Sequence, residues 1–121
     1  MNNYAKGAEK ERKLLHELEA KGYRCVRSAA SMGDHAIDLV AVGASEIRLI
    51  QVKSTKRRIV STEAVENAYK KDVEALRGID HTSNVVFKYL YLWTHRKGWR
   101  VYWILRDRLC EMKDDELYNY T

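Results

Sequence analysis

Four polar side chains stand where the chain is otherwise apolar: Glu11, Asp38, Gln51 and Lys53. Gln51 and Lys53 close the run Arg48-Leu49-Ile50-Gln51-Val52-Lys53-Ser54. In a strand, residues two apart share a face, so both project together beyond Ile47 and Leu49. Asp38 interrupts Ile37-Asp38-Leu39-Val40, where a one-residue slip of register would exchange its face with that of its apolar neighbours. On an adjacent antiparallel strand, Gln51 and Lys53 lie across from or diagonal to Asp38, within reach of one bound ion or water. Glu11 precedes Leu14, Leu15 and Leu18 by three, four and seven residues, which places it on the apolar face of a helix. An unpaired carboxylate there costs roughly several kcal/mol, so Glu11 needs a cation or a hydrogen-bond donor.

Two carboxylates, the Gln51 amide oxygen and a backbone carbonyl, that of Val52, make an all-oxygen set suited to Mg²⁺ or Mn²⁺. An ion held this way polarises a phosphodiester and lowers the pKa of an attacking water. Lys53 then serves as a compact positive charge beside the scissile phosphate, stabilising charge that builds in the transition state or orienting the water. Plainer alternatives stand beside this. Asp38 and Lys53 can form a simple cross-strand ion pair, and Glu11 can sit at a frayed helix start and complement the helix dipole.

The elements that must position these residues follow from periodicity. A helix is expected from Gly7 to Lys21, with Leu14, Leu15 and Leu18 as its stripe and Gly22 as its C-terminal stop. Tyr23–Ser28 alternates as a short strand, and Ala29–His35 is a small, polar linker. Ala36–Val42 and Glu46–Ser54 flank Gly43-Ala44-Ser45 as a hairpin. After the basic segment Lys53–Arg58, a second helix is expected over Ser61–Arg77, its stripe made by Ala64, Val65, Ala68, Tyr69, Val73 and Leu76 and its end at Gly78. Asn84–Trp93 and Trp99–Leu105 give two further strands, while Asp107–Thr121 has weak periodicity. The order is α, three β, α, two β: a central mixed five-stranded sheet flanked by helices.

A length of 121 residues suits one domain spanning 1–121, and 45% hydrophobic residues suffice for a packed core. A net charge of +5 favours polyanions without proving that nucleic acid is the partner. The polar N-terminus lacks the apolar segment of a secretory signal and no run approaches a membrane span, so an intracellular setting is expected, with Cys25 and Cys110 as small core residues. The four histidines show no paired ligand spacing, which leaves zinc without support. The aromatic run from Tyr89 to Trp103 is better explained by core and a dimer interface than by stacking on bases.

The run Lys6–Ser31, KGAEKERKLLHELEAKGYRCVRSAAS, followed by IDLVAV and LIQVKS, resembles the archaeal-type Holliday junction resolvases of the PD-(D/E)XK nuclease superfamily, which viruses also carry. The resemblance extends from about Lys6 to Lys56 and more loosely through Gly98–Ile104. It implies a restriction-endonuclease-like α/β fold. It matches the family's helix-borne glutamate-arginine pair to Glu11 and Arg12, and its strand-end arginine to Arg27. Its loop serine matches Ser31, its metal-binding aspartate Asp38 and its lysine Lys53.

If these roles carry over, the chain is a homodimer that binds a four-way DNA junction and makes paired Mg²⁺-dependent nicks in opposing strands, with no nucleotide cofactor and no membrane partner. A two-fold junction needs two active sites at fixed separation, which one small chain cannot supply. Ser31 would approach the DNA backbone, and Arg12, Arg27, Lys56, Arg57 and Arg58 would contact phosphates. The departure is Gln51, where the family usually has an acidic residue. A neutral acyl oxygen holds a metal less strongly, and Asp34 is a candidate to compensate if it is not simply solvated. Two other functions compete with junction resolution: another nuclease of the superfamily acting on branched or damaged DNA, and a dimeric DNA-binding protein that has lost cleavage.

Overall fold

The computed structural model describes residues 3–28, 37–79 and 83–113. Helix α1 (Asn3–Ala20) buries Leu14 and Leu18 against the sheet. It stops at Gly22, which adopts φ 104°. There the Tyr23 N–H returns to the Leu18 carbonyl at 3.1 Å and the Gly22 N–H to that of Glu19 at 3.1 Å. This double closure needs a left-handed residue, which a side chain lacking Cβ supplies at little cost.

Strands β1 (Arg24–Arg27), β2 (Leu39–Val42), β3 (Ile47–Thr55), β4 (Val86–Thr94), β5 (Gly98–Ile104) and β6 (Leu109–Met112) form one six-stranded sheet in sequence order. Neighbours are antiparallel except β3 and β4, which run parallel from Ile47↔Val86 to Thr55↔Thr94. A parallel pair cannot be joined by a tight turn, and α2 (Thr62–Ala68) with α3 (Lys70–Arg77) makes the crossover. Among the described residues the expected five strands are therefore six. β6 pairs with β5 only along Ile104↔Leu109 to Val101↔Met112, and only Leu109 of its residues is fully buried, so an edge strand this short leaves little alternation to read.

Two further boundaries differ from expectation. The helix expected over Ser61–Arg77 is broken at Tyr69, whose φ of −118° and ψ of 27° are not helical. The break divides the apolar stripe, with Val65 buried on α2 and Val73 and Leu76 on α3. The strand expected from Ala36 begins only at Leu39, so Asp38 stands at its threshold instead of inside it.

The core lies on both sides of the sheet. On one, Leu14 and Leu18 of α1 pack with Tyr23, Leu39, Ile50, Val52, Tyr89 and Tyr91. On the other, Val65, Val73 and Leu76 pack with Leu90, Leu92, Tyr102, Ile104 and Leu109. The aromatic segment accordingly serves the core, with Tyr89, Tyr91 and Tyr102 buried. Both cysteines are half-buried free thiols.

The turn between β2 and β3 is closed by the Gly43 N–H donating to the Glu46 carbonyl at 2.8 Å. Beneath it the Tyr23 hydroxyl donates to Glu46 Oε1 at 2.6 Å, which pins the ring against Gly43. A Cβ at that glycine would lie 2.8 Å from Tyr23 Cε1, a distance real Cβ atoms essentially never show. Because the ring cannot retreat without losing Glu46, Gly43→Ala is expected to cost about 1–3 kcal/mol in urea unfolding. A midpoint equal to wild type would show that the turn yields freely.

Candidate active site

Asp38 is fixed at the mouth of β2 by its main chain. Its N–H donates to the Ile50 carbonyl at 2.8 Å, and its own carbonyl accepts the Ser28 N–H at 2.9 Å. Its side chain then does what the next residue of a longer strand would do: Oδ2 accepts the Val52 N–H at 2.8 Å. Within a strand the N–H and C=O of one residue open on the same side, so the Val52 carbonyl also faces the Asp38 side of β3.

Burial pushes the Asp38 carboxyl up from 3.8 to about 6, against the lowering effect of the Val52 hydrogen bond. The Glu11 carboxylate raises it further, the Lys53 ammonium lowers it, and the Asp72 carboxylate raises it again. Charges from α1, β3 and α3 thus converge on one partly desolvated carboxyl group.

They reach it from opposite faces. Ile50 and Val52 pack on the α1 side, so Gln51 and Lys53, one residue out of phase, lie on the α3 side. The sequence reading gathers Glu11 with Asp38 and Gln51 into one oxygen set, with Lys53 beside it. The structure instead has α1 covering the other face, with Asp38 at the strand end where the two sides meet. Lys53 Nζ pairs with Asp72 Oδ2 at 3.2 Å, a partner the sequence does not announce. Asp72 reads there as one more polar position before the buried Val73, and only the crossover brings it to β3.

Glu11 lies in the interior of α1, not at a frayed start, and has found a cation: Arg27 donates to its Oε1 from Nε at 3.2 Å and from Nη2 at 3.1 Å. Arg27 thereby sits at the same end of the sheet as Asp38, since Arg27↔Leu39 is the last pair of β1 with β2. Arg12, one residue on from Glu11, is exposed, as are Lys56, Arg57 and Arg58 in the loop leaving β3. That loop is tied to the site by Thr55, whose Oγ1 donates to the Arg57 carbonyl at 2.9 Å. Ser31, with Asp34 and His35, falls outside the described residues.

Among the described residues no three Asp, Glu, His or Cys side chains converge as a metal cluster. The oxygen donors at this part of β3 are of another kind. Gln51 is buried, and its Oε1 has no hydrogen-bond donor among the described residues. An orphaned buried acyl oxygen on the strand facing a desolvated carboxylate is unfavourable unless something electropositive completes it. Asp38, Gln51 Oε1 and the Val52 carbonyl are all hard oxygen donors, which fits a small divalent cation and does not fit zinc.

A family model described as archaeal Holliday junction resolvase (Hjc) matches residues 2–106. That span takes in every candidate residue and ends before β6. Among solved structures, the chain is similar to that of Archaeoglobus fulgidus Hjc, a Holliday junction resolvase from an archaeal hyperthermophile. The two share 23% sequence identity, with 89% of this chain and 87% of that chain covered and a TM-score of 0.51. At that identity the likeness is one of fold.

Proposed function

The chain belongs to the archaeal Holliday junction resolvase family, whose members are nucleases acting on four-way DNA junctions, and from that premise we propose that it nicks two opposing junction strands as a Mg²⁺-dependent homodimer. The restriction-endonuclease-like fold supplies the frame. The observation that carries the chemistry is the orphaned, buried Gln51 Oε1 on β3, the strand whose Val52 N–H holds the desolvated Asp38 carboxyl and whose Lys53 charge acts on it.

Asp38, Gln51 Oε1 and the Val52 carbonyl would hold the cation, with Mn²⁺ as a substitute. When bound, such an ion polarises the phosphodiester and acidifies the attacking water. Asp38 is held ready for this by the Val52 N–H, which favours its ionised form. Lys53 places its ammonium beside the scissile phosphate, where charge develops in the transition state. Glu11 keeps Arg27 at this end of the sheet, so its carboxylate is shared between an arginine and the site. Arg12, Lys56, Arg57 and Arg58 supply exposed cations for DNA phosphates, and Ser31, outside the described residues, would by the family's pattern contact the DNA backbone.

Dimerisation follows from the substrate: a two-fold junction presents two equivalent phosphates, and residues 1–121 as a single nuclease domain bring one site. No helix among the described residues is long and apolar enough to cross a membrane, and a DNA junction as substrate favours a setting inside the cell.

Labelled four-way junction, flap, duplex and single-stranded DNA, incubated with Mg²⁺ or EDTA, test this reading. Symmetric nicks confined to the junction and abolished by EDTA are expected, from a species that sediments as a dimer. Junction affinity should fall with salt, and loss of Arg57 should lower the magnitude of the salt slope by about 1. Junction binding without nicks under Mg²⁺ or Mn²⁺ would leave a binding protein and remove the nuclease.

A further inference from the structure

Lys53 is held, and the residue that holds it has no part in the chemistry described so far. Its Nζ stands 3.2 Å from Asp72 Oδ2. An ion pair this exposed adds little stability, so its consequence is geometrical. A lysine carries its charge on a flexible four-carbon stem, and without a partner the ammonium samples many positions.

Asp72, by contrast, is delivered by a fixed element. It occupies the first turn of α3, where a carboxylate suits the helix dipole. The next residue, Val73, is fully buried, as is Leu76 one turn on. Tyr69, immediately before α3, shares a side-chain hydrogen bond with Thr55, two residues beyond Lys53 on β3. The start of α3 is therefore tied to the last residues of β3 by two polar contacts, while Val73 and Leu76 anchor α3 in the core. Asp72 and Lys53 also act together on Asp38, with opposite signs.

We propose that Asp72 is a positioning residue for the nuclease reaction, aiming the Lys53 ammonium at the phosphate addressed by Asp38. This deepens the proposed function and rests on Lys53 acting as the cation beside the scissile phosphate. A charge misplaced by about 1 Å at a reacting centre is enough to cost ~100-fold in rate, so the ion pair matters through placement.

Two measurements on the full chain separate the parts of this idea. In lysine side-chain NMR of the DNA-free protein, the Lys53 ammonium should be resolved from solvated lysines in wild type and join them in Asp72→Asn. In single-turnover nicking, Asp72→Asn should slow cleavage by about 10- to 100-fold with junction affinity unchanged, and Asp72→Glu should recover most of the rate. The proposal is overturned if Lys53 already resonates with the solvated lysines in wild type, or if Asp72→Asn nicks at the wild-type rate. It is equally overturned if Asp72→Asn slows nicking while the Lys53 signal stays put, since Asp72 would then act by another route. A Lys53 signal that behaves as expected in a protein that cuts no DNA would refute the nuclease reading, and the role of the pair in cutting with it, while the pairing itself stands.

Discussion

Asp38→Asn is expected to abolish junction nicking, by on the order of 10³-fold or more, while leaving the metal-free protein at least as stable as wild type near neutral pH. Both halves follow from one environment. Burial lifts the Asp38 carboxyl from 3.8 to about 6. Between roughly pH 4, the unfolded value, and pH 6 the folded chain therefore holds a proton that the unfolded chain has released. Stability from this group is complete below that window and is lost as pH rises through it, because the folded state must then ionise a desolvated carboxyl. Asparagine never ionises, yet its Oδ1 can still accept the Val52 N–H that Asp38 now binds at 2.8 Å. Thermal melts in EDTA should show the variant gaining on wild type between roughly pH 4 and pH 6 and keeping that gain above it. Nicking by wild type should rise through a limb near pH 6 at low Mg²⁺, and that limb should move to lower pH as Mg²⁺ increases, since a bound cation favours the carboxylate. An Asp38→Asn protein that still nicks junctions removes Asp38 from the site altogether.

That a residue unfavourable for folding sits at this position is what made it visible in the sequence. Asp38, Gln51 and Lys53 interrupt apolar alternation, and no ordinary strand accounts for them. Helix α1 is as legible, because Leu14, Leu18 and the stop at Gly22 agree on one helix. What the sequence could not give is which face each helix covers. Gln51 and Lys53 share a face by period alone, but whether α1 or α3 lies over it depends on the crossover between β3 and β4. Glu11 and Lys53 therefore approach Asp38 from opposite sides, and Asp72 was unreadable. The strand-end Arg27 was legible as a charge but not as a partner of Glu11. A strand covered on both faces hides a second thing: Glu46 and Arg48 look like ordinary outward polar positions, yet no outward face exists on the first half of β3.

Glu46→Ala is accordingly expected to be the most destabilising change outside the hydrophobic core, by about 3–5 kcal/mol. Glu46 and Arg48 are both buried. Arg48 Nε donates to Glu46 Oε1 at 2.5 Å and its Nη1 to the Tyr91 hydroxyl at 2.8 Å. The guanidinium also lies over the Tyr89 ring, 4.6 Å from its centroid, and over that of Tyr23 at 5.2 Å. Burial opposes the charge on Arg48, but the tyrosines and Glu46 outweigh it and keep the group ionised. Burial, and then the bond to Glu46, likewise push the Tyr23 phenol up and hold it neutral. Removing Glu46 takes the carboxylate away from a buried cation and a buried hydroxyl, a large loss against a total stability of about 5–15 kcal/mol. The desolvation cost lies with the charge that remains, so Arg48→Met in the Glu46→Ala background should recover much of the loss. Urea midpoints of wild type, single and double variants measure this directly; a double variant no better than the single would mean that the lost bond to Tyr23, and not the stranded guanidinium, sets the penalty. Below its unfolding temperature the double variant should nick junctions as wild type does, because Glu46 and Arg48 stand at the start of β3 and on the face opposite Gln51 and Lys53.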